Sequence, residues 1–147
     1  MAIFGNHSNT QVPDPYSSTF QGKNIKDIVD NTFLHNDFMS TVINRGAAII
    51  KARKLSSAMS AAKAIADHIS LLHHGTPLNE FTSMGVYTTA DTFPNVPEGL
   101  IFSLPVYIKN GQWSIAKFQL HESLASKFQA TIKELSEEKQ EAMMHVQ

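Results

Sequence analysis

Apolar residues recur along this chain with two different periods, and the changes of period mark its elements. Ala2-Ile3-Phe4 is an apolar run that breaks at the polar cluster Gly5-Asn6-His7-Ser8, so it reads as the end of a buried strand entering a turn. Pro13, Pro15, Ser17 and Ser18 mark residues 9–22 as a loop, and Ile25, Ile28 and Val29 indicate a short helical turn or strand. Phe38, Val42 and Ile49 recur at helical spacing and predict a helix over Asp37–Lys54, its centre weakened at Gly46 by about 1 kcal/mol relative to alanine. A second helix is expected over Ser57–His73, with Ala58, Ala61, Ala62, Ile65, Ile69 and Leu72 on one stripe and Lys63 and Asp67 on the opposite face. The alanines of that stripe let another helix backbone come close. Ser56 or Ser57 is the expected N-cap, and Gly75 and Pro77 the stop.

Beyond Pro77 the pattern turns strand-like. Phe81–Thr88 is one strand, with Gly85 as a candidate bulge. Ile101–Ile108 is a second, in which Pro105 predicts an edge position or a bulge. Lys109-Asn110-Gly111-Gln112 is a hairpin signal, because Asn-Gly supplies the positive φ angles of a type I′ turn, and Trp113–Ala116 is the returning strand. Glu122–His145 then reads as a long helix with Leu124, Phe128, Ile132, Leu135 and Met143 near one face. Strand, helix pair, antiparallel strands and helix make an α+β fold, antiparallel strands packed with long helices, in one domain over residues 1–147.

Composition narrows the class. With 147 residues, 42% of them hydrophobic, the chain can bury one core. Twelve Lys plus Arg against thirteen Asp plus Glu leave a net charge of -1, without the basic excess of a nucleic-acid binder. The lack of cysteine excludes disulfides, thiolate metal sites and cysteine nucleophiles. No apolar run approaches the ~20 residues that cross a bilayer, and MAIFGNHSNT is not a signal peptide. A cytoplasmic protein without nucleic-acid or membrane partners is the expectation. Both common nucleotide-loop patterns, GxGxxG and GxxxxGK[ST], are absent.

Among the titratable side chains His7 stands out, since a polar turn after a buried strand is a common seat for a catalytic imidazole; a structural or merely exposed histidine is the competing reading. His68, His73 and His74 lack the spacing and partners of a zinc site, and no metal is expected. Arg45, Lys51, Arg53 and Lys54 have the charge to grip an anion but read more simply as a solvated helix face. Glu134, Glu137, Glu138 and Glu141, next to Lys133, read the same way.

The segments GNHSNTQVPD, RGAAIIKARKLSSAMSAAKAIADH, FTSMGVY, FSLPV and ELSEEK occur in an order that resembles the C-terminal half of NAD-dependent malate dehydrogenase, in the cytosolic-type branch of the malate/lactate dehydrogenase family. The resemblance spans nearly the whole chain. It implies that His7 is the proton-transfer residue, taking the C2 hydroxyl proton of malate and returning it to oxaloacetate. It implies that Ser57 lines the substrate pocket, where the competing reading is a helix cap. It implies NAD as cofactor, bound by an N-terminal dinucleotide-binding half that this chain lacks, together with an aspartate that orients the histidine and arginines that grip the substrate. It also implies a homodimer, with the helices of Asp37–His73 at the subunit interface.

A chain that opens inside a strand, just before His7, is expected to be truncated at its N-terminal edge. By itself it is expected to be inactive, since an acid–base group without a cofactor site cannot hold two substrates in line. It is also expected to expose an apolar surface, because the Ala58–Leu72 stripe and the Ile101–Ile108 run cannot both be covered. The alternative is a non-catalytic truncated relative that serves as a dimerisation or interaction module. His7 and Ser57 are expected to face one cavity.

Overall fold

The computed structural model describes residues 1–117 and 119–146. Its centre is an antiparallel sheet of β5 (Thr82–Tyr87), β6 (Ile101–Lys109) and β7 (Gln112–Ile115), in that spatial order. The alternation in β6 decides which face is inside: Phe102, Leu104, Val106 and Ile108 are buried, whereas Ile101 and Tyr107 are exposed. Asn110 and Gly111 take φ of 53° and 72° in the β6–β7 turn, the geometry expected of Asn-Gly.

Two sequence expectations about this sheet fail. Pro105 sits in the central strand, neither at an edge nor in a bulge. Its carbonyl accepts from the Ala116 N–H at 2.9 Å, so its nitrogen faces the same side, just where β7 ends. Two residues earlier on that side, Ser103 exchanges both backbone hydrogen bonds with Gly5, each at 3.1 Å. The proline therefore falls at the handover between two neighbours, where no donor is needed. Gly85 makes no bulge either; it pairs with Ser103 in a register that runs unbroken from Thr82↔Val106 to Tyr87↔Ile101.

β1 (Ala2–Phe4) pairs antiparallel with β2 (Val12–Asp14), a strand inside the segment read as loop, and both are largely buried. The prolines had masked β2, because Pro13 is compatible with a short strand of a two-stranded pair. A small hairpin, β3 (Thr19–Phe20) and β4 (Lys23–Asn24), turns through Gln21 and Gly22, both at positive φ. A 3-10 turn follows at Ile25–Asp27.

The first long helix starts earlier than expected. α1 (Asn31–Phe33) runs through a π turn (Leu34–Phe38) into α2 (Met39–Arg53), and Asp30 caps its start by accepting the Phe33 N–H at 2.9 Å. Leu34 and Met39 are both buried although they would point about 140° apart on an α-helix; the wider π turn brings both inward and breaks the 3.6-residue pattern. Lys54 then takes a left-handed φ of 57°. α3 covers Met59–His74, two residues later than expected. Neither serine caps it, and Ala58 precedes it with φ of 28°, while the Ser56 hydroxyl accepts the Ala58 N–H at 3.3 Å.

The chain closes with a 3-10 turn (Glu122–Leu124) and α4 (Ala125–His145). Phe128 of α4 meets Phe4, Phe93 and Phe102 at ring separations of 5.6, 5.8 and 5.5 Å, the aromatic centre of the core. Leu124, Phe128 and Ile132 are buried as expected. Met143, placed on the same face by its spacing, is 61% exposed.

Of the two apolar surfaces expected to compete for cover, the β6 run is covered and α3 is not. No residue of α3 is buried, and Ile65 and Ile69 are 60% and 59% exposed. Lys63 and Asp67 form an exposed ion pair on that helix.

Candidate active site

The turn that carries His7 is residues 5–11, the connection between β1 and β2. Its first residue must be glycine for two reasons. Gly5 has φ of +89°, and a Cβ there would lie 2.2 Å from Thr131 Oγ1 on α4. That close approach lets the Asn6 N–H donate to Thr131 Oγ1 at 2.9 Å.

Glu134, one turn further along α4, gathers the rest of the turn. Its Oε2 accepts from Ser8 Oγ at 2.6 Å, from Asn6 Nδ2 at 3.3 Å and from Thr10 Oγ1. The Asn6 amide also donates to Glu138 Oε1 at 2.9 Å. Ser8 Oγ accepts the Thr10 N–H at 3.0 Å, which closes the turn on itself. The hydroxyls of Ser8 and Thr10, followed by the Asn6 amide, hold the Glu134 carboxyl below its ordinary range, against the opposing effect of its partial burial. Glu134 is thus not the simply solvated side chain expected, whereas Glu138 stays exposed, as expected, while accepting from Asn6. Thr131, Glu134 and Glu138 stand at helical spacing beside the apolar stripe of Phe128, Ile132 and Leu135, and that second, polar stripe is the sequence signal that points to them.

His7 itself is exposed, and among the described residues its ring has no hydrogen-bond partner. A histidine presented by a fixed backbone, with both ring nitrogens free, can exchange a proton with a bound molecule. Ser57 sits on the link of residues 54–58 between α2 and α3, half-buried and flanked by the positive-φ residues Lys54 and Ala58. No hydrogen bond joins it to His7 among the described residues, and its hydroxyl does not cap α3. Arg45, Lys51, Arg53 and Lys54 are all exposed.

A second group of titratable residues surrounds a cavity of about 410 Å³ lined by Asp14, Tyr16, Lys26 and His121. Burial pushes the Asp14 carboxyl above its ordinary range, although it accepts the Tyr16 N–H at 2.9 Å. Tyr16 stacks on His121 with ring centroids 4.1 Å apart. Neither His7 nor Ser57 lines this cavity.

Among the described residues there is no glycine turn of the dinucleotide-binding kind. The glycines with open space around them include Gly22 and Gly111, which serve hairpins, and Gly46, which lies inside α2; none opens a strand-to-helix turn. Among the described residues no cluster of His, Asp and Glu has the arrangement of a metal site, and no helix is long and apolar enough to cross a membrane.

Residues 1–146 match the family model described as lactate/malate dehydrogenase, alpha/beta C-terminal domain. The chain belongs to that family. It is 47% identical over 146 residues to the cytoplasmic malate dehydrogenase of Rattus norvegicus, covering 95% of this chain and 43% of that protein. It is 50% identical over 143 residues to the malate dehydrogenase of Nicotiana tabacum, covering 93% of this chain and 42% of that protein. The malate dehydrogenase structure from Naegleria fowleri superimposes with a TM-score of 0.84 at 37% identity, over 95% of this chain and 42% of that one. The lactate dehydrogenase of Trichomonas vaginalis, in complex with NADH and oxamate, superimposes with a TM-score of 0.88 at 27% identity, over 98% of this chain and 45% of that one. The chain spans less than half the length of each of these relatives. The resemblance seen in the segment order is thus a family membership, and the expected α+β arrangement is the family's C-terminal domain.

Proposed function

We propose that residues 1–147 are the substrate-binding part of an NAD-dependent malate dehydrogenase, with His7 as the proton donor and acceptor. The observation that carries this reading is the His7 turn. Its neighbours Asn6, Ser8 and Thr10 are all tied to α4, while the imidazole itself is left exposed and unpartnered among the described residues. Family membership supplies the reaction class. The reaction interconverts malate and oxaloacetate, with NAD as hydride acceptor, held by the part of the enzyme beyond this span. Neutral imidazole takes the proton from the C2 hydroxyl; imidazolium returns it to the carbonyl oxygen. In this reading Ser57, beside the N-terminal N–H groups of α3, which favour a carboxylate, lines the substrate pocket as the family resemblance implies. The similarity to relatives named cytoplasmic supports a cytoplasmic enzyme, and the exposed face of α3 supports a homodimer in which α2 and α3 meet the partner.

A second reading has its own observation. The uncovered apolar stripe of α3 also suits a non-catalytic interaction module. The two separate in one experiment. This chain is fused behind the N-terminal part of the Nicotiana tabacum enzyme, and oxidation of NADH by oxaloacetate is followed. The enzyme reading expects turnover in the hybrid, none in the isolated chain, and a loss of about 10²–10⁴-fold on His7→Gln. A folded hybrid that binds NADH but gives no turnover supports the module.

A further inference from the structure

We propose that Glu134 is the positioning residue of the His7 turn: its carboxylate on α4 holds the residues on both sides of His7 and so fixes where the imidazole points. The inference rests on the reading of His7 given above, because it assigns no contact between Glu134 and substrate. Its basis is geometric. Three side chains of one turn converge on a single oxygen, Glu134 Oε2, and they come from Asn6 and Ser8, the immediate neighbours of His7, and from Thr10. The backbone is fixed just upstream, where Gly5 bonds to Ser103 and the Asn6 N–H donates to Thr131 Oγ1. Among the described residues, His7 is thus the member of residues 5–8 that no other element holds by a hydrogen bond.

An ionised acceptor suits this arrangement best. The Asn6 amide nitrogen can only donate, and the Ser8 and Thr10 hydroxyls reach the same oxygen, so a charged carboxylate, which accepts only, suits all three. Glutamine at 134 keeps one acceptor oxygen but adds an NH₂ group on the branch beside it. Alanine removes the acceptor altogether. The ordering expected is therefore Glu, then Gln, then Ala.

Positioning of a proton-transfer group is costly to lose, since a shift of about 1 Å in a reacting group can lower the rate about 100-fold. The test has two arms. In the full 147-residue chain, amide hydrogen exchange is measured for Gly5, Asn6 and Thr10 in the parent, Glu134→Gln and Glu134→Ala. Asn6 and Thr10 are expected to exchange at least about tenfold faster in Glu134→Ala, while Gly5, bonded to Ser103, keeps its protection. In the hybrid enzyme, kcat is expected to fall at least about tenfold in Glu134→Ala and less in Glu134→Gln, with KM for NADH unchanged.

Glu137→Ala serves as the control, because Glu137 is exposed and faces Lys133 at 3.7 Å. It should leave both readouts at the parent values. Unchanged exchange at Asn6 and Thr10, a kcat within twofold of the parent in Glu134→Ala, or an equal loss in Glu137→Ala would overturn the proposal. If Glu134→Ala does not fold, Glu134→Gln decides, and parent values in both arms overturn the proposal. A hybrid that keeps full turnover with His7→Gln removes the His7 reading instead, and the exchange arm still reports whether Glu134 holds the turn.

Discussion

The two long helices that carry candidate chemistry treat their surroundings in opposite ways. α4 presents Phe128 and Ile132 to the core and, beside them, Thr131, Glu134 and Glu138 to the His7 turn, so its inner face is answered by residues of this chain. α3 carries a cleaner apolar stripe, yet none of its residues is buried. An amphipathic face does not by itself secure a helix to the body of its own chain. The strength of the stripe measures how much apolar surface needs cover, and the cover can come from outside the chain.

Paired truncations give the largest expected effect. Phe128→Ala removes the ring that joins Phe4, Phe93 and Phe102, and should cost about 3–5 kcal/mol in urea unfolding. Ile69→Ala on α3 should stay within about 0.5 kcal/mol, because the side chain is 59% exposed. Equal losses at both positions would break the contrast between the helices.

Gly5→Ala tests how closely the turn is held to α4. The added methyl would lie 2.2 Å from Thr131 Oγ1 on a backbone with φ of +89°. The expected cost is about 2–3 kcal/mol in the same unfolding measurement. Shortening the neighbour with Thr131→Ser should recover little of it, since Oγ1 is the nearest atom and serine keeps it.

The smallest effect is in the pH dependence, where two carboxyls act with opposite signs. Glu134 is held below its ordinary range in the folded chain, so over the window between its folded and unfolded values the unfolded state binds more protons. Stability from this group is present at neutral pH and is lost as pH falls through the folded value. Asp14 is pushed above its ordinary range by burial, so the folded state binds more protons, and its contribution declines as pH rises from the unfolded to the folded value. Unfolding free energies across acid pH should show Glu134→Gln flattening the rise and Asp14→Asn flattening the decline. A Glu134→Gln profile parallel to the parent would show that the turn does not depend on that charge.

Periodicity and turn chemistry are local, and the sequence alone determined what they control: strands β5, β6 and β7, the Asn-Gly hairpin, the bodies of α2, α3 and α4, and His7 at the end of a strand. The ordered segments from GNHSNTQVPD to ELSEEK were enough to identify the family. Tertiary structure decided the rest. Pro105 is tolerated in a central strand because two neighbours meet beside it, which nothing in Ile101–Ile108 discloses. The π turn at Leu34–Phe38 follows from burying both Leu34 and Met39. The polar stripe of Thr131, Glu134 and Glu138 marks a face of α4 in the sequence, but only the approach of the Gly5–Thr10 turn, more than 120 residues away, makes Glu134 its anchor. A helix stripe records that a face is apolar, but which surface covers it, and which side chain a carboxylate meets, depends on how the chain returns on itself.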